Sequence, residues 1–187
     1  DVEIITKVHA ASLQFRSLVN STEWSQHLAV AKSAANEFNA VQIKENADHL
    51  RLKVAMILRR VGLWWRLALM ISLILELSPA CVAQTYAEGV FHAPNPLDEE
   101  SNKVVARYYE FEKYIEGLEL HGVWDMKPFF DGNALRVVLP SLPGGPAIGE
   151  TTDAMIKWQI LNPKQSREGC ELWLKAQFPK YAGANSQ

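Results

Sequence analysis

The chain has few of the residues that build metal sites and disulfide frameworks. Its 187 residues include two cysteines and five histidines. Cys81 and Cys170 lie far apart with no CxxC or Cys/His ligand spacing, and no two histidines are four positions apart. These absences argue against a structural zinc site, a disulfide scaffold and a metalloprotease. They favour a protein of a reducing compartment.

Positive charge is also not in excess. The 19 Lys and Arg against 21 Asp and Glu give a net charge of -2, so no global positive field indicates a nucleic-acid partner, and such a partner would have to meet a local patch. The most apolar run, 67–75, is far shorter than the roughly 20 residues of a membrane span. We therefore expect a buried helix there and no membrane partner.

The familiar catalytic motifs are missing as well. The sequence has no GxxxxGK[ST] loop, no GxSxG elbow, no strand-linked GxGxxG and no Asp-x-Asp that could hold catalytic magnesium ions. The acidic residues at 98–100 have the position of a helix start, and those from 110 to 119 that of an exposed helix face. We therefore assign no catalytic residue and no metal ligand on this chain.

What the sequence does contain is helical periodicity. Apolar residues recur three and four positions apart in nearly every long segment, whereas alternating runs are almost absent. The pattern predicts an all-α fold, a helical body plus a helical tail with no substantial sheet. The predicted helices cover 2–19, 22–38, 45–61, 63–86 and 98–120, a short helix that ends at Pro140, a helix that contains Trp158, and 166–178. The predicted domains are a helical body at 1–91, a linker at 92–97, a helical body and tail with a glycine-rich turn at 98–180, and a frayed terminus at 181–187.

The loop at 142–149 has the most specific backbone requirement. Gly144 and Gly145 permit positive φ, and Pro146 presets φ for a first helical turn. The amide N–H groups of such a turn point outward at the positive end of a helix dipole, where a phosphate or carboxylate binds. The candidate residues are Gly144, Gly145, Ala147, Ile148 and Gly149. The alternative is that the loop only reverses the chain.

A local basic patch precedes this loop in the sequence. No acidic residue occurs between Asp48 and Glu76, and five cations fall there: Arg51, Lys53, Arg59, Arg60 and Arg66. If the helix continues through Gly62, Arg59 and Arg66 share one of its faces, suited to a phosphate backbone. The alternative is a solvated face paired with carboxylates of a neighbouring helix, such as Glu110, Glu112 or Glu116.

From Trp124 onward the features follow a distinctive order. They are Lys127-Pro128, Asp131-Gly132 with Leu135, the loop 142–150, Trp158-Gln159, Asn162-Pro163 and the segment 168–174 with its tryptophan. This order resembles the C-terminal tail of eukaryotic tRNA nucleotidyltransferases, the CCA-adding enzymes. The stretch 50–77 is similar to the helical body of that family, though less diagnostic. The doubled glycine at 144 and 145 departs from the family pattern of one glycine followed by proline.

The resemblance implies a helical body and tail that bind the elbow and acceptor stem of tRNA. It implies that chemistry belongs to an N-terminal head and neck, whose motifs this chain lacks, and that the parent enzyme adds the 3′ CCA end from CTP and ATP with magnesium. The chain alone is then expected to be inactive and to carry no cofactor. Its partners are tRNA and that head and neck, in the cytoplasm, nucleus or mitochondrion. Two alternatives remain open: a helical scaffold or protein-interaction module, and a helix–hairpin–helix-like DNA-binding module.

Overall fold

The computed structural model describes residues 2–32, 40–88 and 99–183. In these ranges the chain is all-α, as the sequence predicts, and contains helices and turns but no strand. It divides into two compact units, Asp1–Trp124 and Asp125–Gln187. The first unit contains α1 (Val2–Val19), α2 (Thr22–Lys32), α3 (Ala40–Val61), α4 (Trp65–Glu88) and α5 (Glu99–Gly117). The second contains α6 (Gly132–Val138), α7 (Pro146–Leu161) and α8 (Arg167–Gln177).

In the first unit, α1 packs along α4 and also contacts α3 and α5, while α2 packs on α3. The core is aromatic where α1, α2 and α5 meet: the ring of Phe111 lies edge-on to Trp24 at 4.9 Å and to Phe15 at 6.2 Å between centroids. All three side chains are fully buried, and burial of each such residue contributes about 1.5–3 kcal/mol. The aromatic stripe of α5 therefore packs into the core as expected, except that Tyr109 is 60% exposed.

A partly buried polar network ties three helices of this unit together. The carboxylate of Glu76 on α4 accepts hydrogen bonds from Arg107, from the Tyr108 hydroxyl at 2.8 Å and from the Asn20 amide at 2.8 Å. The Tyr108 hydroxyl is also 2.8 Å from the hydroxyl of Ser72. Burial is the main cause that raises the pKa of Tyr108 above its ordinary value. The network joins α5 and the C-terminal end of α1 to α4.

The junction between α3 and α4 is a break in the α-helix. Gly62 has φ 59°, a conformation that glycine adopts readily, and a 3₁₀ turn covers Gly62–Trp64 before α4 begins at Trp65. The predicted end of the third helix at Gly62 is confirmed. The condition for a shared basic face is not met, because Arg59 and Arg66 lie on different helices.

The second unit packs its three helices around a small core that includes Leu135, Met155, Cys170 and Leu174. Each short helix has an N-terminal cap: the Asp131 carboxylate accepts from Asn133 N at 3.0 Å and Ala134 N at 2.8 Å, and the Ser166 hydroxyl accepts from Gly169 N at 3.3 Å. Such caps satisfy amide groups that the helix leaves unpaired, which explains why α6 and α8 begin where they do.

Gln159 has a structural role in this unit. Its side chain is buried, donates to the carbonyl oxygen of Lys127 at 3.2 Å and accepts from Phe129 N at 3.2 Å. Asn162 donates from its side-chain amide to the Trp158 carbonyl at 2.9 Å, at the end of α7. The Gln and Asn of the recognised Trp-Gln and Asn-Pro pairs therefore hold the chain in place, which accounts for those residue types.

Some predicted boundaries differ from the observed ones. The third helix begins at Ala40 instead of 45, and the fifth ends at Gly117 instead of 120, where turns follow and Glu119 has φ 53°. The units divide after Trp124, so α5 lies in the first unit, whereas the sequence suggested a linker at 92–97. That linker, residues 33–38 of the predicted second helix and residues 184–187 lie outside the described residues. Tyr181, expected in a frayed terminus, accepts from Ser141 N at 3.1 Å through its carbonyl.

Candidate nucleic-acid interface

Two arginines of the predicted basic patch are held by backbone carbonyls. Arg51 Nη1 donates to the Leu118 carbonyl at 2.8 Å, and Arg59 Nη1 donates to the Val123 carbonyl at 2.7 Å. Both acceptors lie in the segment that follows α5. A carbonyl group orients a guanidinium but does not cancel its charge. These contacts therefore tie α3 to the segment that follows α5.

Two other members of the patch are paired with carboxylates. Lys53 Nζ lies 2.6 Å from a carboxylate oxygen of Glu23 on α2, and its hydrogen bond lowers the pKa of Glu23. Arg66 Nη2 lies 2.8 Å from Glu116 and its Nε 3.2 Å from Glu112, both on α5. Hydrogen bonding from Arg66 is the main cause that lowers the pKa of Glu116. The alternative of paired carboxylates therefore describes Lys53 and Arg66, whose charges are locally offset.

Arg60 differs from the other four cations. It is exposed at the C-terminal end of α3 and lines a groove beside α1. The five predicted residues thus divide by their surroundings, and they do not form one uninterrupted basic face. Glu112 and Glu116 were among the partners that the sequence suggested for the patch, and they pair with Arg66. Glu23, the partner of Lys53, was not suggested, because it lies on α2, 30 residues away along the chain.

The glycine loop forms an open helix N-terminus in the second unit. Gly145 has φ 71° and ψ -129°, and Pro146 is the first residue of α7. No side chain caps this end of the helix. The Ile148 amide is used locally, since it donates to the Gly145 carbonyl at 3.1 Å. Within the described residues no hydrogen bond uses the amides of Gly145 and Ala147, so these two N–H groups are available to a ligand.

The other glycines of the loop differ in what surrounds them. A Cβ at Gly144 would lie 3.3 Å from Nη2 of Arg136, whereas a Cβ at Gly149 would meet no atom within 4 Å. Gly149 therefore leaves the first turn of α7 open, as expected. The side chains of Ala147 and Ile148 pack against the core of the second unit, so only their backbone belongs to the candidate site.

Arg136 is a site residue that the sequence analysis missed. It is exposed in the last turn of α6, and its guanidinium lies beside Gly144 at the entrance to the loop. No local sequence signal identifies it, because its position beside Gly144 depends on how α6 and the loop fold back. A guanidinium and open helix-end amides are both donors suited to a phosphate oxygen.

The described residues contain no group of three or more His, Cys, Asp or Glu side chains placed to hold a metal ion. In the same part of the chain, no helix is both long enough and apolar enough to cross a membrane. Cys170 is a buried free thiol, and burial raises its pKa to about 11.

Two curated proteins are similar to this chain. It is 35% identical over 74 residues to the mitochondrial CCA tRNA nucleotidyltransferase of Saccharomyces cerevisiae, and these residues make up 40% of this chain and 13% of the relative. It is 33% identical over 69 residues to the tRNA nucleotidyltransferase cca2 of Schizosaccharomyces pombe, and these residues make up 37% of this chain and 14% of the relative. No protein-family model and no solved structure matches the chain. The resemblance to tRNA nucleotidyltransferases is confirmed for a segment that spans about a seventh of their length.

Proposed function

We propose that this chain is a tRNA-binding, non-catalytic part of a CCA-adding tRNA nucleotidyltransferase. The similarity to the two yeast enzymes supports the choice of tRNA as partner. In this proposal the addition of the 3′ CCA end from CTP and ATP, with magnesium, belongs to a catalytic head and neck that bind the same tRNA. The chain described here holds the elbow and acceptor stem. Such a partner implies work in the cytoplasm, nucleus or mitochondrion.

We locate the proposed phosphate-binding site at the open N-terminus of α7, beside Arg136. The aligned peptide dipoles of a helix place about half a positive charge at this end. The amides of Gly145 and Ala147 and the Arg136 guanidinium together offer several N–H donors to one phosphate group. Recognition of this kind reads the backbone and its shape, which is how a protein binds an A-form RNA helix.

The cations of the first unit contribute a second, electrostatic part of the proposed interaction. Arg60 is exposed, and backbone carbonyls orient the guanidinium groups of Arg51 and Arg59. Lys53 and Arg66 contribute less, because Glu23 and the pair Glu112 and Glu116 offset their charges. Each phosphate that a cation neutralises releases counterions, so affinity for tRNA falls as the salt concentration rises.

A filter-binding titration against tRNA tests the α7 site with a matched control. Arg136→Gln removes one positive charge at the loop, and Lys157→Gln removes one from an exposed position near the other end of α7. We expect Arg136→Gln to weaken binding on the order of tenfold, as for loss of a hydrogen bond to a charged group, and Lys157→Gln to change it far less. Equal effects of the two changes would remove the loop from the site.

A specific observation favours a second function, a protein-interaction module. Leu67, Met70 and Ile74 on α4 are 43–58% exposed, and they continue a four-three-four spacing from Leu63, which lies in the preceding 3₁₀ turn beside Trp64 and is 74% exposed. This spacing produces an apolar stripe along one face of a helix. In this reading the stripe binds the head and neck of the parent enzyme. Leu67→Ser with Met70→Ser should abolish that association while tRNA binding stays unchanged, and unchanged association would exclude the stripe.

A further inference from the structure

A groove runs between α1 and the C-terminal end of α3, with a volume of about 550 Å³. Most of its lining surface is apolar, and four of the residues that line it are charged, three of them positively. The residues that matter here are Lys7, Ala10, Ala11, Gln14, Arg59 and Arg60. Lys7 and Gln14 belong to α1, and no sequence motif connects this helix with a ligand.

The groove concentrates positive charge in a chain whose net charge is -2. Lys7, Arg59 and Arg60 line it, and Glu3 is the one acidic residue among the residues that line it. Glu3 pairs with Lys7 at 2.6 Å, but the two side chains are 79% and 52% exposed. Exposed pairs of this kind are weak and are screened by salt, so a multivalent anion competes with Glu3 for Lys7.

The shape of the groove suits an extended anion. The residues of α1 that line it run from Glu3 to Gln14, which corresponds to about 16 Å along a helix axis. Ala10 and Ala11 also line the groove, and their short side chains allow a ligand to approach α1 closely. Arg59, which lines the groove from α3, donates from its guanidinium to the Val123 carbonyl. A compact ion would meet only part of this surface, whereas a polymer with successive charges meets all of it.

We propose that this groove binds a stretch of the sugar–phosphate backbone of RNA. Lys7, Arg59 and Arg60 contact successive phosphates, and the Gln14 amide hydrogen-bonds a phosphate oxygen or a 2′-hydroxyl group. This inference rests on the proposed function and deepens it, since it adds α1 to the tRNA interface. In this proposal Arg59 and Arg60 bind the same stretch of RNA as Lys7 and Gln14, which lie some fifty positions earlier in the chain.

The test compares two double variants of the full chain that carry the same change in charge. Lys7→Gln with Arg60→Gln removes two cations from the groove. Lys103→Gln with Lys157→Gln removes two exposed cations elsewhere, and Lys103 pairs with Glu99 as Lys7 pairs with Glu3. Affinity for tRNA is measured by filter binding over a range of salt concentrations. The groove variant should bind on the order of a hundredfold more weakly at low salt and reduce the log–log salt slope by about two, one for each cation.

A second pair of variants changes the sign of the expected effect. Glu3→Gln removes the acidic residue of the groove and should strengthen tRNA binding, whereas Glu99→Gln, in the matching pair on α5, should leave it unchanged. Both positions are highly exposed, so neither change is expected to disturb folding, and circular dichroism checks this. If Glu3→Gln and Glu99→Gln have equal effects, the groove does not contact RNA.

The outcomes separate this inference from the function on which it rests. If the wild-type chain binds tRNA and the groove variant keeps its affinity and salt slope, the groove proposal is overturned and the proposed function stands. If the wild-type chain does not bind tRNA, both are overturned. Poly-glutamate serves as a competitor of similar charge, and competition as strong as that of RNA would reassign the groove to acidic peptides.

Discussion

Substitution of Gly145 by alanine perturbs the backbone on which the α7 site depends. Gly145 has φ 71° and ψ -129°, which residues with a Cβ rarely adopt, and no atom lies within 4 Å of the position its Cβ would occupy. The cost of Gly145→Ala is therefore conformational and not steric. For residues held in such a region it is about 1–3 kcal/mol.

Gly149 provides the matched control within the same helix. It lies in the first turn of α7, it has no positive φ, and its Cβ would also meet no atom within 4 Å. Alanine at such a helical position is favoured over glycine by about 0.5–1 kcal/mol. We therefore expect Gly145→Ala to lower the free energy of unfolding of the second unit and Gly149→Ala to raise it.

The free energy of unfolding of the second unit is measured by hydrogen exchange of the Leu135 and Leu174 amides over a range of urea concentrations, because both residues are in the core of this unit. For a unit of this size, 1 kcal/mol corresponds to about 4–8 °C in Tm, so the two variants should differ clearly. Equal stability of Gly145→Ala and the wild-type chain would refute the assigned loop geometry and, with it, the open amides of Gly145 and Ala147.

Three further changes test other parts of the structure. Glu76→Ala leaves Arg107 and Asn20 without their shared acceptor and should destabilise the first unit by about 1–3 kcal/mol, measured by thermal unfolding, whereas exposed Glu110→Ala should have almost no effect. Asp131→Ala removes the cap of α6 and should lower the free energy of unfolding by about 1 kcal/mol, measured by urea unfolding. Ser166→Ala removes a longer hydrogen bond at the start of α8 and should lower it less. A larger effect of Ser166→Ala would contradict the capping roles assigned to the two residues. Burial lowers the pKa of His27 in the folded state, so the stability linked to neutral His27 is present above about pH 6.5 and is lost as the pH falls through this lowered pKa. His27→Gln should therefore flatten the dependence of unfolding free energy on pH in this range. An unchanged dependence would contradict the assignment to His27.

The helices could be predicted from sequence because their signals are local. Spacing of apolar residues indicated α1, α5 and α8 within a few positions, and Gly62 marked the end of α3. The consequence of Gly62 was harder to foresee. A positive φ and one 3₁₀ turn reorient the chain, and they separate Arg59 from Arg66 although the two are seven residues apart.

The surroundings of the charges could not be predicted in the same way, because they depend on tertiary packing. Lys53 meets Glu23 only because α2 packs on α3, and Arg66 meets Glu116 only because α4 packs on α5. Arg136 was missed for the related reason that its position beside Gly144 follows from how α6 and the loop fold back. Charge content along a segment therefore predicted a patch, while the fold decided that Lys53 and Arg66 pair with carboxylates.

We propose above all that this chain binds folded tRNA by contacting the sugar–phosphate backbone of the RNA. The most direct measurement is the affinity of the wild-type chain for tRNA and for duplex DNA of similar charge, by filter binding from about 50 to 200 mM salt. The account predicts that log K for tRNA falls linearly with log salt concentration and that tRNA is bound more tightly than the duplex at every point. Absence of binding at the lowest salt, or equal binding of tRNA and DNA, would contradict it.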